Sequence, residues 1–154
     1  MAFHVPIEVS RTLEPGCGYD QVFDLLANVP ASAGHFPKLE HLVDEGNNTF
    51  RWEIEKIGLG AYFIQTVYTC TYAENREEGW IEWKPVEGEG NALIEGFWNF
   101  EIDDDDTVHV EFYTRGDLTI DLPALVKIVL SPLVVVEFTG IIDTYINNLK
   151  KAFA

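Results

Sequence analysis

The sequence is poor in basic residues, and this shortage excludes two classes of partner. Only 10 of its 154 residues are Lys or Arg, against 26 Asp or Glu, so the formal net charge is −16. Nucleic-acid phosphates and anionic membrane surfaces repel such a chain, and neither is an expected partner. The acidic excess fits either an ordinary soluble surface or adaptation to high salt, in which dissolved ions screen self-repulsion.

The sequence also has little material for a metal centre or a disulfide framework. Its two cysteines, Cys17 and Cys70, lie far apart along the chain. No pair of its four histidines has the spacing of a zinc site. The acidic run at residues 103–106 lacks the ligand spacing of a calcium loop and predicts a hairpin turn instead. We therefore expect no metal and no cofactor.

Familiar catalytic and targeting motifs are missing as well. The Gly-Leu-Gly sequence at residues 58–60 lacks the third glycine of a dinucleotide fingerprint, and there is no G-x-S-x-G elbow. The first nine residues lack a basic region followed by a long apolar run, so no signal peptide is expected. Residues 122–136 are apolar but short and interrupted by Lys127 and Pro132, which argues against membrane insertion. A cytoplasmic location is the simplest expectation.

Aromatic residues, in contrast, are abundant. Ten Phe, six Tyr and four Trp make up 13% of the chain, enough to fill a large core or to line a cavity. A chain of this length buries roughly 70% of its unfolded surface without help from disulfides or metals. Residues 1–154 are therefore expected to form a single domain.

Alternating apolar and polar residues predict seven strands. In the first of them, Val5, Ile7 and Val9 lie on one face while Glu8 and Ser10 lie on the other. The predicted strands span residues 5–13, 39–44, 50–54, 61–73, 80–84, 91–102 and 107–118. Short turns join consecutive strands, and a loop is expected at residues 87–90. This arrangement is typical of an antiparallel sheet.

Apolar residues at helical spacing predict three helices. The first spans residues 19–28, and a short second helix ends near Phe36. The third begins near Asp121, and Pro132 should kink or divide it. Because its first half is apolar on nearly every side, that half should be covered on more than one side.

These elements predict an α+β fold. A curved antiparallel sheet of seven strands should wrap around the long C-terminal helix, with the two short helices after the first strand. A sheet that is covered by a single helix leaves space between the two, and we expect a cavity of roughly a few hundred Å³, the usual size of a ligand site.

Several short segments resemble the START-like helix-grip superfamily (SRPBCC). VFDLL at residues 22–26 is similar to its V-W/F-x-L-L helix, and FPKLEHLV at residues 36–43 is similar to the P-x-V-x-x-V segment that leads into its second strand. Gly96-Phe97-Trp98 and Leu122-Pro123 are also similar to that family. The nearest branch looks like the polyketide cyclase/dehydrase and lipid-transport group. The resemblance implies a helix-grip fold that binds a lipid, sterol, polyketide or other hydrophobic molecule, and it carries over no catalytic residue.

The inward-facing positions of the sheet and the long helix form the expected ligand site. The hydroxyls of Thr66, Tyr68 and Thr114 should bond each other, bond buried water, or orient the polar end of a ligand. Arg11 either extends to the sheet edge or binds a ligand carboxylate. The expected apolar lining comprises Val9, Trp52, Ile54, Trp83, Trp98, Phe100, Phe112, Ile128, Val135, Phe138 and Ile142.

Three functions remain open at this point. The first is binding, with possible transport, of a hydrophobic small molecule, for which apolar burial supplies the affinity. The second is a polyketide cyclase or dehydratase in which Tyr68 or Arg11 polarises a carbonyl of the folded substrate. The third is a protein-interaction module whose large rings close the cavity completely. The sequence guarantees no titratable group inside the pocket, so binding ranks first.

Overall fold

The computed structural model describes residues 2–154 apart from the side chain of Leu59, so Met1 of the N-terminal stretch lies outside the described residues. The strands are β1 (Phe3–Leu13), β2 (Leu39–Gly46), β3 (Thr49–Ile54), β4 (Ile57–Leu59), β5 (Tyr62–Ile64), β6 (Val67–Asn75), β7 (Trp80–Gly90), β8 (Ala92–Ile102) and β9 (Val108–Ile120). The helices are α1 (Tyr19–Ala27), α2 (Val29–Ala33) and α3 (Lys127–Ala152), with a 3-10 turn at Ala124–Val126 before α3.

Seven strands form one antiparallel sheet in the order β1-β9-β8-β7-β6-β3-β2. Each neighbouring pair is antiparallel, and β1 closes the meander by pairing with β9 from Phe3 opposite Ile120 to Leu13 opposite Val110. The sheet wraps around the C-terminal helix α3, and the two short helices follow β1. The predicted α+β helix-grip fold is therefore confirmed.

Alternation along the strands determines which face of the sheet is covered. In β1, the odd-numbered residues from Phe3 to Val9 are buried and the intervening residues are exposed. The same period appears in β9, where Val108, Val110 and Phe112 are buried. Because side chains alternate between the two faces, one face of the sheet packs on the helices and the other is solvated.

The predicted long strand at residues 61–73 is two strands, β5 and β6, because the chain joins the seven-stranded sheet only at Val67. Its first part pairs with Ile57–Leu59 as a separate hairpin, β4–β5. At the break, the Asn91 side chain accepts a bond from Val67 N at 2.8 Å and donates one to Gln65 O at 2.6 Å. These two bonds satisfy backbone groups that have lost their ladder partners, so the excursion leaves neither group unpaired.

The loop expected at residues 87–90 is instead the irregular end of β7. Tyr68 pairs with Gly90 and Cys70 with Pro85, so several residues of β7 bulge opposite a single residue of β6. Gly88 and Gly90 both have positive φ, at 82° and 89°. Glycine adopts this conformation without strain, so the glycines that predicted a loop shape a bulge within a strand.

Helix α3 runs without division through Pro132, so of the two expected effects of this proline, a kink or a separation into two segments, the separation is wrong. A proline lacks the N–H that would pair with the carbonyl of Ile128, four residues earlier. Ile128 is 85% exposed, so water can reach this part of the helix. With the preceding 3-10 turn, α3 is the one helix of residues 2–154 that is long and apolar enough to cross a membrane.

The C-terminal half of α3 is the part that packs on the sheet. Ile141, Ile142, Tyr145, Ile146 and Leu149 are all buried. Polar contacts hold it from several sides. The Arg11 guanidinium donates to Asp143 Oδ1 at 2.6 Å, Tyr145 and Ser32 share a hydrogen bond, and Asn148 Nδ2 donates to His35 O at 2.9 Å. The expectation that the first half is covered on more than one side is wrong, because Ile128, Val129 and Val136 are exposed.

Candidate functional site

A cavity lies between the sheet, α2 and the middle of α3. It encloses about 50 Å³, well below the few hundred Å³ expected from the sequence. Its lining comprises Leu26, Val29, Ser32, Phe36, Trp52, Tyr68, Tyr72, Ile81, Trp83, Ile94, Trp98, Phe112, Thr114, Phe138, Ile142 and Tyr145. The lining is mostly apolar with a few hydroxyls, which is the usual chemistry of a small-molecule site.

Contacts between aromatic rings account for the small volume. Trp98 lies 4.7 Å from Phe112, centroid to centroid, and both rings approach Tyr145 of α3 at 6.1 and 6.4 Å. On the other side, Trp52 stacks on Tyr68 at 5.8 Å with an interplanar angle of 10°. The rings thus fill much of the space that the curved sheet leaves, and the remaining cavity is bounded by ring faces and edges.

Two further spaces lie next to this central cavity and share lining residues with it. A groove of about 220 Å³ shares Val29, Tyr72 and Ile81 with it and reaches the surface at Pro30 and Asn48. A second cavity of about 20 Å³, towards β4, shares Phe36 and Phe138 with it. Phe36, Tyr72 and Phe138 are only half-buried, so these three rings separate the central cavity from its neighbours.

Most hydroxyls of the lining already have partners. Thr114 Oγ1 donates to Glu95 O at 3.1 Å, and Tyr72 Oη accepts a bond from Trp52 Nε1 at 3.0 Å. Tyr145 is bonded to Ser32 of α2. Tyr68 differs from these residues: its hydroxyl has no hydrogen-bond partner among the described residues, and it faces the open space of the cavity instead of being enclosed by protein atoms.

Burial keeps these tyrosines protonated. It raises the pKa of Tyr68 well above the usual 10.0, and the nearby Cys70 and Tyr145 raise it further. Burial likewise raises the pKa of Tyr145 to about 12, although its bond with Ser32 acts in the opposite direction. At neutral pH the cavity therefore presents neutral hydroxyls, which can donate hydrogen bonds but do not act as bases.

Eight of the residues predicted to form the ligand site line the central cavity. They are Trp52, Tyr68, Trp83, Trp98, Phe112, Thr114, Phe138 and Ile142. Ile54 and Thr66, which also belong to the prediction, line the second cavity beside β4. These ten positions come from strand alternation and from the helical stripe of α3.

Five predicted site residues lie elsewhere. Val9 is buried in the core without lining the cavity, and Phe100 packs on α1, 5.2 Å from the ring of Phe23. Arg11 reaches the surface and binds Asp143, which raises the pKa of the guanidinium. Ile128 and Val135 are 85% and 39% exposed, because the N-terminal part of α3 extends past the cavity.

The contribution of α2 to the cavity was not predicted from the sequence. Val29, Ser32 and Phe36 line the cavity from that helix and the turn after it, and Tyr145 was not assigned to the site. The sequence signal for α2 is weak. Asn28 caps the helix, and its Oδ1 accepts a hydrogen bond from Ala31 N at 3.1 Å, but a cap does not indicate which face of the helix points into the protein.

Other candidate groups lie away from the cavity. Residues 103–106 form the predicted hairpin turn, in which Asp103 Oδ1 accepts from the N–H groups of Asp105 and Thr107. His109 lies on the solvated face, between Asp103 at 2.8 Å and Glu14 at 3.0 Å. The Cys70 thiol donates to Ile94 O, and burial raises its pKa to about 12, so it is not a nucleophile at neutral pH.

Comparison with known proteins identifies the fold. No protein-family model and no curated protein sequence matches the chain. Among solved structures, a START superfamily protein from Mycobacterium smegmatis is similar over 95% of this chain and 96% of its own, with a TM-score of 0.67 and 11% identity. The Zhui aromatase/cyclase from Streptomyces sp. R1128 is similar over 96% of this chain and 93% of its own, with a TM-score of 0.58 and 16% identity.

A third similar structure is a di-domain protein. The di-domain ARO/CYC StfQ from the steffimycin biosynthetic pathway matches over 97% of this chain and 51% of its own, with a TM-score of 0.61 and 12% identity. At these identities the likeness shows the fold alone. The chain has the START-like helix-grip fold that is shared with polyketide aromatase/cyclases.

Proposed function

We propose that this protein binds a hydrophobic small molecule with a polar end, such as a lipid or a polyketide, between the sheet and α3. The observation that carries this proposal is the side chain of Tyr68. It lines an apolar cavity, yet its hydroxyl has no hydrogen-bond partner among residues 2–154. A hydroxyl that faces the space of an apolar cavity without a protein partner is free to donate to the polar end of a ligand and so to orient it.

The proposed ligand requires the cavity to expand. The central cavity encloses about 50 Å³, whereas ligand sites usually measure about 300–1,000 Å³. Displacement of Tyr72 joins the central cavity to the groove of about 220 Å³. Displacement of Phe36 or Phe138 joins it to the second cavity. All three rings are half-buried, so they can move with less loss of packing than fully enclosed rings.

We expect Tyr68→Phe to weaken binding of a long-chain alcohol by about fivefold while leaving binding of the matching alkane unchanged, because only the alcohol loses a hydrogen bond. Both ligands are measured by displacement of an apolar fluorescent probe. Tyr113→Phe is the matched control: Tyr113 also carries a hydroxyl, but it lies on the solvated face and donates to Glu8 Oε2 at 2.7 Å.

Equal effects of Tyr68→Phe on the alcohol and the alkane would remove Tyr68 from the binding site. If the wild-type protein binds no probe, alcohol or alkane, the rings fill the interior in solution as well, and the binding proposal fails.

A polyketide cyclase or dehydratase is the second candidate. Two observations favour it: the protonated hydroxyl of Tyr68 can donate to a substrate carbonyl, and two of the similar structures are aromatase/cyclases. Arg11, the other residue considered for this step, is bound to Asp143 and does not line the cavity. Incubation with a linear poly-β-ketone distinguishes the two functions, since an enzyme releases a cyclised product that Tyr68→Phe reduces, whereas a binding protein returns the ligand unchanged.

A further inference from the structure

The N-terminal part of α3 and the β4–β5 hairpin expose an unusual number of large apolar side chains. Only 22% of the most apolar 18-residue window of the helix is buried, so most of that window does not serve the core. We define the apolar tip by its exposed members: Tyr62, Phe63, Leu125, Ile128, Val129 and Val136. Leu125 is 90% exposed and Phe63 is 65% exposed, values at which a side chain contributes little to the stability of the fold.

The two segments lie side by side. Ile57 of β4 and Val134 of α3 line the same small cavity, which places the hairpin against the N-terminal half of the helix. Lys56, which precedes β4, holds its Nζ 5.1 Å from the centroid of the Phe63 ring. Exposed apolar side chains grouped at one end of a protein in this way mark a candidate interaction site.

The charge of the tip is opposite to that of the chain. The chain has 26 acidic residues, yet none of them falls within residues 56–64 or 123–136, the two segments that build the tip; the exposed Glu55 and Asp121 lie just outside these segments. The charged residues of these segments are Lys56 and Lys127, and both are exposed. At the border of the tip, Glu137 is neutralised by a salt bridge with Lys38.

We propose that the apolar tip docks this protein onto a bilayer surface that contains anionic lipid. Such a surface has two layers, the acyl chains and the charged headgroups. The aliphatic and aromatic side chains of the tip match the acyl chains, and the exposed lysines beside them match the anionic headgroups. A second copy of this chain matches less well, since two tips in contact bring lysines against lysines.

This proposal departs from the expectation, drawn from the net charge of the whole chain, that anionic membrane surfaces are not partners. At about 0.15 M salt the screening length is about 8 Å, and most charges of a domain of this size lie farther than that from one end. The electrostatic field of the anionic bilayer therefore acts mainly on the two lysines of the tip. Docking of this kind is peripheral, because the C-terminal half of α3 stays packed on the sheet.

The experiment is sedimentation of the full chain with lipid vesicles in about 0.15 M NaCl. Phosphatidylcholine vesicles with about 30 mol% phosphatidylglycerol are compared with pure phosphatidylcholine vesicles. We expect Leu125→Glu and Ile128→Glu each to weaken binding to the mixed vesicles about tenfold or more. Lys127→Glu should weaken it about fivefold or more on the mixed vesicles and have little effect on pure phosphatidylcholine.

Ile102→Glu is the matched control, because Ile102 is 52% exposed at the end of β8, outside the tip. It should leave vesicle binding unchanged. The proposal is overturned if the wild-type chain does not sediment with the mixed vesicles, or if Ile102→Glu weakens binding as much as Ile128→Glu. It is also overturned if the wild-type chain ignores vesicles and forms a dimer that Ile128→Glu disperses, which would make a second copy the occupant.

Failure of this proposal is distinguishable from failure of the ligand site. The vesicle experiment contains no added ligand, and the substituted side chains do not line the central cavity. Each variant should therefore bind the apolar fluorescent probe as the wild-type chain does, whether or not it binds vesicles.

Discussion

Gly96→Ala is expected to destabilise the protein by about 3 kcal/mol, a large effect for the addition of one methyl group. Gly96 pairs with Thr114 of β9 on one side and lies opposite Trp83 of β7 on the other. An added Cβ would lie 2.6 Å from the Trp83 ring and still closer to the carbonyl oxygen of Tyr113. The carbonyl belongs to the sheet and the ring to the cavity wall, so neither yields easily.

Thermal unfolding measures this effect. For a protein of this size, a loss of about 3 kcal/mol lowers Tm by about 10 °C. Gly140→Ala is the matched control, because a Cβ at Gly140 meets no atom within 4 Å. Gly140 lies inside α3, where alanine is favoured over glycine, so this control should stabilise the protein by about 0.5–1 kcal/mol.

A Tm for Gly96→Ala within a few degrees of the wild-type value would contradict the packing of Trp83 across the glycine. It would mean that the Trp83 side chain occupies another position in solution. In that case the wall of the central cavity would also have a different shape, since Trp83 lines it.

The sheet could be predicted from the sequence because strand alternation is a local property. Val5, Ile7 and Val9 are separated by polar residues, and their burial follows from that pattern alone. The break after β5 could not be predicted in this way. It depends on Asn91, which supplies the missing bonds at Val67 and Gln65 from another part of the chain.

The residues of the candidate site were predictable on the strands, because strand alternation determines which side chains point towards the cavity. Trp52, Tyr68, Trp98 and Phe112 all line the cavity as expected. On the helix, the apolar face alone does not show how far the sheet extends along it. Ile128 was therefore assigned to the site, although it lies beyond the sheet and is exposed.

The volume of the cavity was not predictable from composition. The same number of rings can stand around a large space or fill it, and the difference depends on side-chain rotamers and contact angles. Here Trp98, Phe112 and Tyr145 approach one another closely in the centre, which reduces the space to about 50 Å³. Such packing is a property of the folded structure and leaves no pattern in the sequence.

Buried tyrosines should make the protein unfold in alkaline solution, between about pH 10 and 12. Burial raises the pKa of Tyr145 from 10.0 to about 12, and it raises those of Tyr68 and Tyr72 well above 10.0. A group whose pKa is higher in the folded chain than in the unfolded chain stabilises the fold. This stabilisation is at its full value when the pH lies below the pKa of the unfolded chain. That contribution is lost as the pH rises towards the folded value, since the unfolded chain then releases the proton first.

The magnitude is large because several groups act together. A tenfold difference in proton affinity between the folded and unfolded chain corresponds to about 1.4 kcal/mol, so Tyr145 alone removes about 2 kcal/mol by pH 12. Burial also raises the pKa of Cys70 from 9.0 to about 12, which adds a contribution of the same sign that begins near pH 9. The sum approaches the whole stability of a typical domain, about 5–15 kcal/mol.

Denaturant unfolding at intervals from about pH 8 to 11.5, followed by tyrosinate absorbance, tests this expectation, and Tyr68→Phe provides its internal control. The hydroxyl of Tyr68 bonds to no described residue, so its removal should leave stability at about pH 8 unchanged or slightly higher. Above about pH 10 the variant should lose stability less steeply than the wild-type chain, because one fewer buried hydroxyl ionises on unfolding. Parallel pH profiles for the two proteins would show that Tyr68 titrates as an exposed tyrosine does. The hydroxyl would then be in water, and it would no longer be available as the buried, unpaired donor on which the proposed ligand site depends.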